Sequence, residues 1–387
     1  MEINPKLSVW GNLSREVGKL GDIKLTIDGN EVLGSPGMTI LEAAGQVGIE
    51  IPSLCHKKEL SPIGSCRVCV VEVEGAARLV GSCHTPISEG MVVRTNTERV
   101  KRTRRVTVEL LLAGHTGPCV TDTGASDCEV HQLAAFVEVG PPSFRVRKVR
   151  FYPAEDSNPY VRRNLSRCIL CHRCTRACRE LAGESLYSMA YRGSDYKVVV
   201  GYDEPLNTDT CKDCGLCIEM CPTTALNPGP DLIRGRKFEG AQEQFPGSTP
   251  DENRSALLPL LKEEQTKQGV LSRAFMLETA EALGLTLSEV YGVATFYAFL
   301  SVRPQGRHII RICNSLPCFI QNAPEIIDGV QKAIGIAPGE TTLDGRFSFT
   351  LTNCIGACDQ APAMLVDDDL HGNLTPEKIG EIFRSYD

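Results

Sequence analysis

The sequence predicts an α+β protein made of several small domains, most of them built around groups of cysteines. Its 387 residues correspond to two to four domains of ordinary size. Its 18 cysteines fall into separate groups, and strand patterns alternate with helical patterns around them. Because the first residues lack a charged segment followed by an apolar core, we expect a cytoplasmic protein whose cysteines bind metal rather than form disulfides.

Composition and motifs exclude several classes of function. The net charge of -7 does not favour nucleic-acid binding. No apolar run approaches the roughly 20 residues of a membrane span. The chain carries neither Gly-x-Gly-x-x-Gly after a strand nor a P-loop, and no nucleophile and base stand in a recognisable motif. We therefore expect no nucleic-acid partner, no membrane partner and no catalytic or nucleotide-binding residues on this chain.

The first predicted domain covers residues 22–98, after a lead-in of residues 1–21. The stretch from Ile23 to Asp28 alternates like a strand, and an Asp-Gly pair at its end is typical of a hairpin turn. A Thr-x-x-Glu capping box at Thr39 predicts a short helix. These elements predict the start of a small sheet domain with one covering helix.

Four cysteines follow that helix, spaced Cys-x10-Cys-x2-Cys-x13-Cys, with a valine-rich strand from Val68 to Val73. This is a variant of the plant-type two-iron spacing with a longer first gap. We expect a β-grasp ferredoxin domain with a 2Fe–2S cluster, although four thiolates could also bind zinc. His56 and His84 directly follow cysteines and are not predicted to be ligands. The predicted ligands are Cys55, Cys66, Cys69 and Cys83.

Residues 141–235 carry the most specific pattern, two runs of Cys-x2-Cys-x2-Cys-x3-Cys. Each run has the bacterial spacing for a cubane 4Fe–4S cluster, and its fourth cysteine ligates the other cluster. Zinc sites use spaced pairs of ligands rather than such packed runs. We expect one cubane on Cys168, Cys171, Cys174 and Cys221. We expect the other on Cys178, Cys211, Cys214 and Cys217.

Arginines flank these two runs. We interpret most of them as groups that balance the charge of clusters and thiolates and aid solubility; the alternative is that they dock an acidic partner such as a soluble ferredoxin or tune the cluster potential. They are Arg145, Arg147, Arg150, Arg162, Arg163, Arg167, Arg173, Arg176 and Arg179.

A linker is predicted over residues 236–254, which are polar and rich in turn-forming residues. The C-terminal domain then covers residues 255–387 and begins with helices, one ending at Gly284 and the next capped by Ser288. The expected buried face of the first of these two helices consists of Ala274, Leu277, Ala280 and Leu283.

Strand, helix and strand follow the helical segment from His308 onward, and two cysteine pairs stand at the strand ends. Neither pair is Cys-x-x-Cys, which disfavours dithiol redox chemistry. The pattern predicts a second 2Fe–2S cluster in a thioredoxin-like fold, followed by a strand near Met364 and a helix capped by Thr375. The predicted ligands are Cys313, Cys318, Cys354 and Cys358.

These cysteine patterns resemble two known families. The part up to residue 235 resembles the N-terminal part of the large, 75-kDa-type iron–sulfur subunit of respiratory complex I, and the matching part of iron-only hydrogenases and NAD-linked formate dehydrogenases. The C-terminal domain resembles the thioredoxin-like 24-kDa-type subunit, through its four cysteines and the Tyr-Gly-Val-Ala-Thr-Phe-Tyr stretch that starts at Tyr291. The two resemblances cover almost the whole chain after residue 21.

Residues 99–140 form a segment in which a basic start and an apolar finish predict a helix over 99–113. In the first resembled family the next residues read His-x3-Cys-x2-Cys-x5-Cys and hold a third cubane. Here aspartate replaces the second cysteine, so the resemblance implies a His/Asp-ligated 4Fe–4S cluster, an empty site, or His131 as a replacement ligand. We expect a bound cluster. Its ligands would be His115, Cys119, Asp122 and Cys128.

The resemblance also implies a function, that of an iron–sulfur subunit in a soluble complex of the flavin-based electron-bifurcating kind. The preferred type is the Stn-type NADH-dependent ferredoxin:NADP oxidoreductase. The implied partners are a 51-kDa-type flavoprotein that binds FMN and NAD(P), a further catalytic subunit (a flavoprotein, a hydrogenase or a dehydrogenase), and soluble ferredoxin. Alternatives are a subunit of a bifurcating hydrogenase or formate dehydrogenase, a true respiratory complex I subunit, and a structural zinc protein.

Overall fold

The computed structural model divides the chain into two compact units. The first contains residues 1–154, 163–173 and 218–227, and the second contains residues 155–162, 174–217 and 228–387. No helix in the described part of the chain is long and apolar enough to cross a membrane. The described residues are 23–115, 128–140, 143–144, 150–206, 211, 213–232 and 251–386.

A five-stranded mixed sheet forms the start of the first unit. Its order is β2-β1-β5-β3-β4, in which β1 pairs antiparallel with β2 and parallel with β5. The predicted hairpin is confirmed, with Ile27 opposite Asn30 across the turn. The strands are β1 (Ile23–Ile27), β2 (Asn30–Gly34), β3 (Val70–Val73), β4 (Val80–Gly81) and β5 (Val92–Arg94).

Helix α1 (Ile40–Gln46) covers this sheet, and its predicted capping box is confirmed. The Thr39 backbone N–H donates to the Glu42 carboxylate at 2.8 Å, and the Glu42 N–H donates back to the Thr39 hydroxyl at 3.3 Å. The helix buries Ile40, Ala43 and Ala44 against the sheet. Burial of this apolar face fixes the helix over the strands.

Two further helices complete the first unit, α2 (Glu98–Ala113) and α3 (Glu129–Phe136). The helix predicted over 99–113 is therefore confirmed. Val108 of α2 and Leu133 of α3 are buried in one apolar cluster that also contains two cysteines of the first predicted site. The unit thus places cysteine sulfurs inside its core.

The tandem cysteine segment contributes residues to both units and contains only short elements. The hairpin of β7 and β8 is antiparallel, with Tyr187 opposite Val200, and belongs to the second unit. The elements are β6 (Val161–Arg163), α4 (Arg173–Arg176), a π-helical turn (Ala177–Leu181), β7 (Tyr187–Ala190), β8 (Lys197–Val200), α5 (Leu216–Glu219) and β9 (Leu226–Pro228).

Three helices of the second unit pack with β7 around a common core. They are α6 (Asp251–Gln268), α7 (Arg273–Leu283) and α8 (Leu287–Phe296). Helix α8 approaches β7 at Gly292, where an added Cβ would lie only 2.5 Å from the Met189 carbonyl oxygen. Only glycine permits this contact, since any side chain would separate helix and strand.

Three local predictions for this region need correction. Helix α6 begins at Asp251, inside the segment predicted as a linker or domain boundary, so only the end of that prediction is wrong; its residues 236–250 lie outside the described part of the chain. Helix α8 is capped by Thr286 in a capping box with Glu289, whereas Ser288 is buried inside the helix. Its hydroxyl accepts from the Gly201 N–H and donates to the Leu186 carbonyl, both at 2.8 Å.

The buried face of α7 is also rotated from the predicted one. Ala274 is exposed and Leu277 only half-buried, while Ala280 and Leu283 are buried as predicted. Met276 and Thr279 complete the buried face, because the helix turns a methionine rather than an alanine toward the core that it shares with α8.

The C-terminal part of the second unit is a four-stranded sheet of order β11-β10-β12-β13 with three helices. Strands β10 and β11 run parallel, and β12 pairs antiparallel with β10. The predicted strands and long helices are confirmed, while α9 and β13 were not predicted. The elements are β10 (His308–Cys313), α9 (Leu316–Ile320), α10 (Ala323–Ile334), β11 (Phe347–Thr352), β12 (Met364–Val366), β13 (Asp369–His371) and α11 (Pro376–Arg384).

Candidate metal centres

The first unit brings together the four cysteines predicted for its sheet domain, here named the N-terminal cysteine site. Each of the four is buried, and each belongs to an apolar core cluster. The Cys55 sulfur is hydrogen-bonded to those of Cys66 and Cys83, and Cys83 also bonds Cys69. Sulfurs in such direct contact are positioned to share the irons of one small cluster, since a 2Fe–2S centre takes two thiolates on each iron.

Metals bind the thiolate form, and hydrogen bonds in this site favour that form at Cys55 and Cys69 but the neutral thiol at Cys66 and Cys83. The bond from Cys83 lowers the pKa of Cys69 to about 6. Bonds from Cys66 and Cys83 lower the pKa of Cys55 as well. The Leu54 backbone N–H donates to the Cys66 sulfur at 3.4 Å. The structure therefore supplies two sulfurs biased toward the thiolate and a backbone N–H donor in buried surroundings.

His84 lies beside this site without replacing a cysteine. It is exposed, and its Nδ1 is 3.5 Å from the Cys83 sulfur. Its ring packs onto Gly81, where an added Cβ would lie 2.3 Å from the imidazole. The histidine thus covers the edge of the site.

The tandem motif shows its internal repeat in the backbone. In the first run, Leu170 and His172 flank the second cysteine with φ of 57° and 60°. In the second run, Asp213 and Gly215 occupy the same two positions with φ of 50° and 71°. Left-handed backbone on both sides of a cysteine folds the run into a tight loop. Two loops of one conformation therefore present the two sets of cysteines.

The first run lies partly in the first unit, which contains Cys168, Cys171 and Cys221, while Cys174 lies on α4 within the second unit. The Leu170 N–H donates to the Cys168 sulfur at 3.4 Å. Burial raises the pKa of Cys168 to about 11 and that of Cys171 to about 12. Such thiols ionise only with a nearby cation, which a bound metal provides.

The second unit brings together the four cysteines predicted for the other cubane. Cys178 from the π-helical turn shares one cavity with the second run, although it belongs to the first run by sequence. The Tyr187 hydroxyl lines the same cavity and lies 3.9 Å from the Cys217 sulfur. The cross-over of the fourth cysteine is thus present in the structure. The four cysteines are Cys178, Cys211, Cys214 and Cys217.

The C-terminal cysteine site comprises Cys313 at the end of β10, Cys318 on α9, and Cys354 and Cys358 in the loop after β11. Cys313 and Cys318 are buried, but Cys354 and Cys358 are exposed and lie 3.4 Å apart. The Gly356 N–H donates to Cys354 at 3.4 Å and lowers its pKa. The four predicted cysteines therefore meet at the protein surface.

The His/Cys segment brings together two of its four predicted ligands. His115 and Cys128 lie close together, with 3.5 Å between Nε2 and Sγ, and His131 joins them. Burial lowers the pKa of His115 and so favours its neutral form. Two other predicted ligands, Cys119 and Asp122, lie outside the described residues.

A role in solubility does not hold for three of these arginines. Arg163, Arg173 and Arg176 are buried. Arg173 forms two hydrogen bonds to the Glu129 carboxylate, both of 2.8 Å. Burial opposes ionisation of Glu129, but these bonds outweigh it and hold the pKa of Glu129 below its usual range. The charge count alone could not distinguish this buried pair from surface arginines.

Comparison with protein families supports iron–sulfur domains in three segments. The family described as 2Fe-2S iron-sulfur cluster binding domain matches residues 21–98. The family described as NADH-quinone oxidoreductase subunit 3, ferredoxin-like domain, matches residues 158–227. The family described as thioredoxin-like [2Fe-2S] ferredoxin matches residues 242–387. The chain thus combines ferredoxin-like and thioredoxin-like iron–sulfur domains.

Similar curated proteins are subunits of oxidoreductases. A subunit of the NADH-quinone oxidoreductase of Rhizobium meliloti is 37% identical over 57% of this chain and 26% of its own length. The alpha subunit of NADPH-Fe(3+) oxidoreductase of Geobacter sulfurreducens is 36% identical over 56% of this chain and 25% of its own. NADP-reducing hydrogenase subunit HndD of Solidesulfovibrio fructosivorans is 36% identical over 53% and 36%.

This chain therefore spans about a quarter to a third of the length of these relatives. Among solved structures, a chain of an NAD+-reducing [NiFe]-hydrogenase in the H2-reduced state is 28% identical, with a TM-score of 0.47. That match covers 58% of this chain and 92% of the other.

Proposed function

We propose that this chain is an iron–sulfur electron-transfer subunit of a soluble NAD(P)-linked oxidoreductase complex. The observation that carries the proposal is the grouping of sixteen predicted cysteine ligands into sites with the spacing of two 2Fe–2S and two 4Fe–4S clusters. Bound clusters would supply one-electron chemistry, and a partner would supply the two-electron chemistry of a nicotinamide. The names of three similar proteins, all NAD(P)-linked oxidoreductase subunits, support this role.

The cysteine residues would hold the clusters in environments of different solvent access. The N-terminal cysteine site is enclosed by apolar side chains, whereas the C-terminal cysteine site has two sulfurs at the surface. Tunnelling between centres requires a short distance, so the surface site is the better position for contact with a partner's redox group. We propose that an FMN- and NAD(P)-binding flavoprotein docks there.

Apolar side chains around the C-terminal cysteine site support this docking surface. Leu316 and Ile320 are 69% and 68% exposed, and Phe319 is 43% exposed. All three lie on α9, the helix that carries Cys318. Apolar side chains concentrated on one short exposed helix are typical of an interface core.

The finer assignment is a flavin-based bifurcating NADH-dependent ferredoxin:NADP oxidoreductase. It is supported by the resemblance of the two halves to subunits that flank the flavoprotein in related complexes. A bifurcating hydrogenase is the second candidate, since one similar protein is an NADP-reducing hydrogenase subunit. Both candidates assign the same relay role to this chain and differ in the catalytic partner.

The decisive experiment is to purify the native complex without oxygen and identify each chain and cofactor by mass spectrometry. An FMN/NAD subunit with a second flavoprotein is the expected result and supports the transhydrogenase. The same FMN/NAD subunit with a hydrogenase or a molybdenum or tungsten enzyme would move the reaction to hydrogen or formate. A colourless protein without flavin partners and with zinc as its metal would contradict the electron-transfer role.

The docking surface is tested by the double variant Leu316→Ser and Ile320→Ser. We expect the variant to keep its iron and its fold but to retain much less flavoprotein during anaerobic affinity purification. Leu33→Ser is the matched control, because Leu33 is 60% exposed on the sheet of the first unit. Equal retention by both variants would contradict docking at α9.

A further inference from the structure

Three side chains of the first unit form a compact ligand set beside the core of α2 and α3. One potential ligand atom from each of His115, Cys128 and His131 lies within 4.8 Å of the other two. His115 and Cys128 are buried and His131 is half-buried. A thiol and two imidazoles that converge in this way are a common ligand set for a transition metal.

The separation of these atoms does not fit a cubane. Each protein ligand of a 4Fe–4S cluster points outward from its own iron, so two such ligand atoms lie roughly 6 Å apart. The His115 Nε2 and Cys128 Sγ are only 3.5 Å apart. Two ligands of one tetrahedral zinc ion, with bonds of about 2.0 Å to nitrogen and about 2.3 Å to sulfur, are separated by roughly 3.5 Å.

A hydrogen bond orients His115 for metal binding. Its Nδ1 lies 2.8 Å from the Arg167 backbone carbonyl oxygen, which can only accept. Nδ1 therefore carries the proton, and Nε2 presents its lone pair toward Cys128. This is the arrangement that metal-binding histidines adopt, with one ring nitrogen on the metal and the other donating to a carbonyl or carboxylate.

His131 supplies the second, independent observation. It lies on α3, three residues after Cys128, so both side chains project from the same side of the first helical turn. Its Nδ1 is buried and has no hydrogen-bond partner among the described residues. Since buried polar atoms are nearly always satisfied, this nitrogen indicates a missing ligand.

The start of α3 is held in place by contacts that do not involve the metal ligands. The Glu129 backbone N–H donates to the Pro222 carbonyl at 2.8 Å, and the Glu129 carboxylate binds the buried Arg173. These contacts fix both Cys128 and His131 relative to the tandem motif within the first unit. The three ligands are thus positioned before any metal arrives.

We infer that His115, Cys128 and His131 bind a single divalent transition-metal ion, zinc by preference, in place of a third cubane. One thiolate sulfur and two imidazole nitrogens suit zinc, which is borderline in softness and has no redox chemistry. The ion joins the end of α2 to the start of α3 and stabilises the packing of the two helices. The position then carries no electron, and the chain contains about 12 irons rather than about 16.

The test is metal analysis of the intact protein purified without oxygen, combined with X-ray absorption at the zinc edge. We expect about one zinc per chain, bound by one sulfur and two imidazole nitrogens, beside about 12 irons. A content of about 16 irons, or about 12 irons without zinc, would overturn the inference.

Single substitutions test which side chains bind the zinc. His131→Ala should remove the zinc and leave the iron content unchanged, which also shows that the rest of the unit is folded. Gln132→Ala is the matched control, since Gln132 is the exposed neighbour on the same helix and should keep the zinc. Retention of zinc by His131→Ala would overturn the role of that histidine.

Asp122→Ala distinguishes the mononuclear site from the cubane that the resemblance implies. If a cubane depends on Asp122, this variant loses about four irons and their EPR signal. We expect no loss of iron and no loss of zinc. Loss of about four irons would overturn the inference.

Discussion

The N-terminal and C-terminal cysteine sites hold the same number of cysteines, but all four are buried in the first and only two in the second. In the first unit, Cys69 and Cys83 pack in one apolar cluster with Leu25 and Ile27. In the second unit, the main core of the C-terminal sheet, which includes Phe349, is formed without any cysteine. Two of the C-terminal cysteines are exposed.

This difference indicates that metal binding contributes to folding to a different extent at the two sites. Where cysteines are part of the core, metal binding and folding are coupled, because an unligated site leaves reactive thiols inside the domain. Where a separate apolar core forms without cysteines, we expect the fold to depend less on the metal. The surface site can then remain open to a partner without loss of stability.

The largest expected difference follows from replacing one cysteine in each site by serine. Cys69→Ser should remove about two irons and destabilise the first unit by at least about 3 kcal/mol, because the cluster is lost and a hydroxyl is buried. Cys358→Ser should also disturb its cluster but lower the stability of its domain by less than about 1 kcal/mol, since the hydroxyl is hydrated. Iron analysis and thermal unfolding check both, and equal shifts in melting temperature would contradict the comparison.

Replacement of one buried arginine in each unit should cause the next largest loss of stability. Arg104 donates to the Val70 carbonyl at 2.8 Å, so Arg104→Met leaves a strand carbonyl unsatisfied and should cost about 1–3 kcal/mol. Arg311 lies 4.7 Å from the ring centre of Phe299, which is 49% exposed, and Arg311→Met should cost about 0.5–1 kcal/mol from this solvent-accessible contact. Hydrogen exchange of β3 and β10 measures each unit separately. A larger effect at Arg311 would reverse the ranking.

The rate at which each cysteine site loses its iron should increase with the solvent exposure of that site. With a chelator and mild oxidant, the C-terminal site should lose its iron about tenfold faster than the N-terminal site, because the enclosed site must open first. After samples are reduced with dithionite, the two 2Fe–2S signals can be followed separately by EPR, with the Cys358→Ser protein as the control that identifies one of them. Loss of both signals at one rate would show that the enclosed site opens freely.

Removal of a helix cap should cause the smallest loss of stability, and that loss should be the same in both units. Thr39→Ala and Thr286→Ala each break a capping box and should each cost about 1 kcal/mol. Chemical denaturation of each variant checks the values. Thr39→Ser and Thr286→Ser are controls that keep the hydroxyl and should stay within a few tenths of a kcal/mol. A much larger cost at Thr39 would mean that helix α1 also positions the N-terminal cysteine site.

Local signals in the sequence predicted the elements that depend on neighbouring residues. The hairpin after Ile27, the capping box at Thr39 and the strand that ends at Cys313 are all confirmed. Each is encoded by a short pattern of turn residues, caps or alternating apolar residues. The cap at Thr286 and the buried face of α7 were missed, because two candidate caps lie close together and only packing against α6 and α8 selects the face.

The sequence by itself determined the number, type and spacing of the cysteines, and with them the expectation of iron–sulfur domains, because ligand spacing is a local property. Tertiary structure decided three things that require distances between remote residues. It buried one cysteine site and exposed another. It turned Arg173 inward to bind Glu129. It brought His131 to His115 and Cys128, a contact between side chains that only the packing of α2 with α3 can produce.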